Sequence, residues 1–101
     1  MNFSINVMKN GEKTTLVLSG RLDTTTSPKL EETLITELSH AKCVELDFVD
    51  LVYVTSAGLR VLLLGEKTAK AQGSKQIIMN VSPEIMEIFD MTGFSSILSF
   101  S

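Results

Sequence analysis

The chain has 101 residues, 44% of them hydrophobic, and a formal net charge of −3. That length fits one domain whose core buries roughly two-thirds of the unfolded surface, and the composition excludes a disordered chain. The nine Lys and Arg residues are scattered singly, which excludes nucleic acid or an anionic membrane surface as the main partner.

Phe3, Ile5 and Val7 alternate with Ser4 and Asn6, predicting a strand with one buried face. Met1-Asn2-Phe3-Ser4 lacks the basic and apolar regions of a signal peptide. No segment reaches the roughly 20 apolar residues of a membrane span, so a cytoplasmic location is expected. Lys9-Asn10-Gly11-Glu12 predicts a hairpin turn of type I′. Leu16 and Leu18 alternate on the returning strand, which Gly20-Arg21-Leu22-Asp23 closes. Thr24-Thr25-Thr26-Ser27 is a loop of hydroxyls suited to capping a helix. Pro28 then opens a helix over roughly Pro28–Ser39, with Leu30, Leu34 and Leu38 on its inner face.

Cys43–Phe48 reads as a second alternating strand, and Cys43 as a core-filling thiol. As the only cysteine it excludes an internal disulfide. After a short loop the pattern becomes a long helix, Ser56–Gln72, stopped by Gly73. Gln76–Met79 is a short buried strand. Ser82-Pro83-Glu84 starts a last helix with an inner stripe of Ile85, Ile88 and Phe89, and Gly93 ends it. The apolar tail of Phe94, Ile97, Leu98 and Phe100 fits either a helix or a strand. Strands that alternate with helices pair in parallel, so the order predicts a mixed sheet packed against helices in a single domain over residues 1–101.

Ser56 stands at the first turn of the long helix, where free backbone N–H groups and the helix dipole stabilise added negative charge. It reads either as a plain helix cap or as a hydroxyl that acquires a phosphate. On a helical projection Gly58, Val61, Leu62, Gly65 and Ala69 share one arc, with small residues that let the helix approach the sheet. Leu59 and Leu63 share another arc with Glu66, Lys67 and Lys70, and those charges prefer water. Leu59 and Leu63 are therefore expected to be partly exposed. Either another helix covers them, or they dock a partner beside Ser56, with Arg60 and Lys67 around them.

Signals for catalysis are weak. There is no G-x-S-x-G elbow, no Walker or dinucleotide glycine pattern, and no His/Cys/Asp cluster with metal-ligand spacing. The only histidine, His40, falls near a helix end. Asp23, Asp47 and Asp50 are expected to cap loops. No enzymatic activity, cofactor or metal is expected.

Leu46-Asp47-Phe48, followed by Leu51-Val52-Tyr53-Val54-Thr55-Ser56-Ala57-Gly58-Leu59-Arg60, resembles the signature of bacterial anti-sigma factor antagonists, the small stand-alone members of the STAS domain family. Gly20-Arg21-Leu22-Asp23 and Gly93-Phe94 add to the likeness, which covers essentially the whole chain. The resemblance implies an α/β single domain with a mixed four- to five-stranded sheet, opened by an N-terminal hairpin, with helices mainly on one face. It also implies a phosphoswitch. The unphosphorylated domain binds a serine kinase of the histidine-kinase-like ATPase fold, itself the anti-sigma factor, and so releases a sigma factor. Phosphorylation ends that contact, and a PP2C-type phosphatase restores it. By position the acceptor is Ser56, with Asp23, Thr24 and Thr25 in a loop near it and Thr55 and Gly58 beside it. Many members have Asp where this chain has Thr55. A monomer is implied. A second function within the same family is a constitutive STAS subunit of an ABC-type lipid-transport complex, which needs no phosphate.

Overall fold

The computed structural model describes residues 3–101; Met1 and Asn2, read above as part of the N-terminus, lie outside the described residues. Its elements run β1 (Ser4–Asn10), β2 (Lys13–Leu22), α1 (Ser27–Leu38), β3 (Cys43–Val54), α2 (Ser56–Gln72), β4 (Lys75–Met79) and α3 (Pro83–Thr92). They form one four-stranded sheet in the order β1-β2-β3-β4. β1 and β2 are antiparallel, while the β2/β3 and β3/β4 pairs are parallel, as the alternation of strands and helices requires.

Alternate residues of the sheet enter one core. Leu16, Leu18 and Leu22 of β2, Val44, Leu46 and Phe48 of β3, and Ile78 of β4 are buried with Leu30, Leu34, Val61, Leu62, Ile85 and Phe89 from the helices. The intervening residues Thr15, Val17, Glu45, Asp47, Ile77 and Met79 are only half-buried. The helices therefore cover one face of the sheet and leave the other to solvent.

Four local expectations are corrected. β1 has no buried face: Ile5 is half-buried and Val7 is exposed, because an edge strand is covered by neighbours on one side only. The hairpin loop is Gly11-Glu12, not Asn10-Gly11, since Asn10 pairs with Lys13. Gly11 has φ +66° and Glu12 does not share the positive φ, the pattern of a type II′ turn. β3 does not stop at Phe48 but runs on to Val54. Its pairing with β2 slips between Val17 and Ser19 and again between Gly20 and Arg21, each time with one extra residue on β3. These are β-bulges, and they reset the inward alternation that marks a strand in sequence. The Asp47 carboxylate accepts from the Val49 N–H (3.0 Å) at the first bulge and from Asn80 Nδ2 (2.9 Å) after β4, which is the loop-capping role expected of it.

The tail resolves into a single 3₁₀ turn at Phe94–Ser96 and a parallel bridge from Phe100 to Ile78 on the outer edge of β4. Phe100 packs its ring against Phe89, which in turn packs against Phe48. Cys43, expected in the core, opens β3 half-buried on the open face. Burial pushes its thiol above the ordinary value, and the Glu45 carboxylate adds to that shift.

Candidate functional site

The bulged extension of β3 positions the site. It carries Val54 level with Leu22 of β2, and Thr55 is the only residue between β3 and α2. The Thr55 N–H donates to the Leu22 carbonyl (2.9 Å), and its hydroxyl leans to the same carbonyl (3.4 Å). The chain thereby turns directly from strand to helix beside the loop that follows Leu22.

Thr55 is the N-cap residue of α2, and its side chain caps nothing. Ser56 is the first helical residue and is exposed, so the plain-cap reading of Ser56 is corrected. The N–H groups of Ser56, Ala57 and Gly58 begin the helix without an intrahelical acceptor, and no acidic side chain stands in the first turn. Gly58 seats this end on the sheet. A Cβ there would lie 2.8 Å from Leu22 Cγ and Cδ2 and 3.0 Å from Val54 Cγ1. Gly65 does the same about two turns on, against Gln76 and Leu34. The small-residue arc of the helix faces the sheet as expected.

The neighbouring loop is organised by Asp23. Its carboxylate accepts from the Thr25 hydroxyl (2.8 Å) and from the N–H groups of Thr25 (3.0 Å) and Thr26 (3.1 Å). The Thr25 hydroxyl, foremost, holds the Asp23 carboxyl below the ordinary aspartate range. Thr24 is exposed at the loop tip. No hydroxyl of this loop caps α1. Thr26, the N-cap residue, instead donates to the Arg21 carbonyl (2.8 Å), and the Ser27 N–H reaches the Asp23 carbonyl (2.8 Å).

Four residues of α2 face outward together beyond Ser56. Arg60, Leu63, Leu64 and Lys67 line a shallow depression of about 200 Å³. Leu63 is half-buried, while Leu59 is only 7% exposed and is withdrawn from the expected docking patch. Glu66, expected in water on the same flank, is buried as well. Ser99 of the tail donates to Glu66 Oε2 (3.1 Å), and Lys70 Nζ lies 3.8 Å from that oxygen. Glu66 is thus closed off by chain from the other end of the sequence. Two features escape a helical projection of α2 alone. Leu64 completes the depression, and Arg60 Nη2 reaches across to Glu31 Oε1 of α1 at 3.9 Å. Glu31 also borders a larger open depression of about 420 Å³ with Pro28, Glu32, Ile35 and Thr36. An acidic α1 face thus adjoins a basic α2 face. Among the described residues, no three His, Cys, Asp or Glu side chains gather as metal ligands.

Comparison with known proteins agrees with this arrangement. Residues 5–99 match the family described as "Mlab, STAS domain", and the chain belongs to the STAS domain family. It is 28% identical over 101 residues to the anti-sigma-B factor antagonist of Bacillus subtilis, covering all of this chain and 93% of that protein. It is 31% identical over 102 residues to the anti-sigma-B factor antagonist of Staphylococcus epidermidis, covering 97% and 92% of the two chains. The anti-sigma factor antagonist SpoIIAA in its unphosphorylated form shares the fold with a TM-score of 0.76 at 19% identity, over 99% of this chain and 87% of that one. The phosphorylated form of the Bacillus cell fate determinant SpoIIAA gives a TM-score of 0.75 at 20% identity, over 99% and 91%.

Proposed function

We propose that this chain is an anti-sigma factor antagonist, a cytoplasmic binding module without catalytic activity of its own that is switched by phosphorylation of Ser56. Unphosphorylated, it holds an anti-sigma factor that is also a serine kinase of the histidine-kinase-like ATPase fold, and a sigma factor is released. The kinase phosphorylates Ser56 and the contact ends; a PP2C-type phosphatase restores it. The observation that carries this reading is an exposed Ser56 hydroxyl on an uncapped helix N-terminus, at the head of an outward face bearing Arg60, Leu63 and Lys67. The names of the relatives support the partner class.

The physics of the switch follows from position. A phosphoserine carries about −1.5 to −2 charges at neutral pH. At the start of α2 it meets unpaired N–H groups and the positive end of the helix dipole, so the domain accommodates it. The cost falls on the interface, through bulk, desolvation and repulsion from the kinase's acidic or nucleotide-bearing surface. About 3 kcal/mol of such cost lowers affinity roughly a hundredfold. Thr55 does not compete for the phosphate, because it is half-buried and its hydroxyl is turned to the Leu22 carbonyl.

A second reading is a constitutive STAS subunit of a lipid-transport complex, which uses the same outward face of α2 and needs no phosphate. Binding to a kinase-type ATPase encoded in the neighbouring reading frame separates the two. The account expects Ser56→Ala to bind in the presence or absence of ATP, and Ser56→Asp to bind at least tenfold more weakly. Equal affinity for the two variants contradicts the switch and leaves the constitutive subunit.

A further inference from the structure

We infer that Arg60 is the internal counter-ion of phosphorylated Ser56, and that phosphorylation moves its guanidinium from Glu31 to the phosphate. This rests on the reading of Ser56 as the acceptor. Arg60 follows Ser56 by four residues on the exposed face of α2, the spacing at which helical side chains meet. An anion placed four residues before a cation is the favourable order, and long helical side chains lean back toward the N-terminus. A phosphate on Ser56 is therefore within the reach of an arginine at position 60.

Its present partner holds it loosely. The 3.9 Å separation from Glu31 is the longest among the ion pairs of the described residues, and the Arg60 side chain is 69% exposed. A single solvent-exposed carboxylate at that distance stabilises little. A phosphate offers more charge and three acceptor oxygens, to which a guanidinium donates two parallel bonds. Two other cations are out of register or engaged elsewhere. Lys67 is eleven residues on, about 16 Å along the axis. Arg21 lies over the Tyr53 ring at 4.8 Å. The Asp23 carboxylate of the neighbouring loop is occupied by Thr25 and Thr26.

The exchange has a consequence for recognition. In the unphosphorylated chain Arg60 borders the depression with Leu63, Leu64 and Lys67, where an acidic group of a partner reaches it. In the phosphorylated chain it is engaged internally and its ion pair with Glu31 of α1 is released. Loss of partner affinity then comes from withdrawal of an arginine as well as from repulsion.

The test is a ³¹P NMR pH titration of the full chain with genetically encoded phosphoserine at position 56. Against the parent, Arg60→Gln raises the second phosphate pKa by about 0.2–0.4 unit. Arg60→Lys recovers part of the difference, and Glu31→Gln lowers the value by removing the competitor. Identical titration of the parent and Arg60→Gln overturns the inference. A value unchanged or raised in Glu31→Gln overturns the exchange. Because no kinase installs the phosphate, either failure leaves the acceptor reading standing; that reading fails only if no phosphate is found on Ser56 in protein from cells.

Discussion

Two hydroxyl residues at helix starts in this molecule do different work. Ser82 precedes α3 and accepts from the Ile85 N–H (3.2 Å), whereas Thr55 precedes α2 and caps nothing. Ser82→Ala is expected to cost about 1 kcal/mol in chemical denaturation, and Thr55→Ala under about 0.5 kcal/mol. A full cap's cost at Thr55 would contradict the uncapped helix start on which the phosphate site depends. Asp23 gives a pH signature. Hydrogen bonds from Thr25 and Thr26 favour its ionised form, so its folded pKa lies below the unfolded value of about 3.9. The support it gives the loop is in place at neutral pH and is lost as pH falls through that lowered value. The amide resonances of Thr25 and Thr26 should report a midpoint below 3.9 that is absent in Asp23→Asn; a midpoint at or above the ordinary value contradicts the geometry.

Elements differ in how plainly the sequence announces them, and the difference is physical. α2 is legible end to end, because its core stripe has a helical period and Gly73 ends it in the left-handed conformation, φ +75°. β3 is legible only as far as Phe48. Each bulge inserts a residue, and the buried positions Leu51 and Val54 then fall three apart instead of two. The loss matters for function, since the unread half of the strand delivers Thr55 and Ser56 to the edge of the Asp23 loop. The exposed Ser56 at the start of α2, the loop near it and the outward Arg60, Leu63 and Lys67 were legible from local pattern and family likeness. The burial of Leu59 and Glu66 was not; Glu66 is closed off by Ser99, 33 residues further along the chain, a contact no local pattern contains. Seating of α2 has its own test. Gly58→Ala puts a methyl against Leu22 and Val54 and is expected to cost 1–3 kcal/mol by overpacking, although alanine is the better helix former. An unchanged or raised stability would show that the helix start has room to shift.

Across the whole molecule, the core and the proposed switch are kept apart. The packed side chains lie between the sheet and the inner faces of the helices, whereas Ser56 and the depression along α2 lie outside. A phosphate there changes the surface and leaves the core intact. Amide shifts on phosphorylation are therefore expected to concentrate in the first turns of α2, the Asp23 loop and the facing turn of α1, with the melting temperature held within a few degrees. Shifts spread over β1 and β4 would point to refolding in place of a surface switch. The most direct measurement is the intact mass of the protein purified from its own cells, before and after phosphatase treatment, with the modified residue located by fragmentation. The account predicts a phosphatase-sensitive form carrying one phosphate on Ser56. A chain that never carries phosphate there, under conditions where its partner kinase is active, contradicts it.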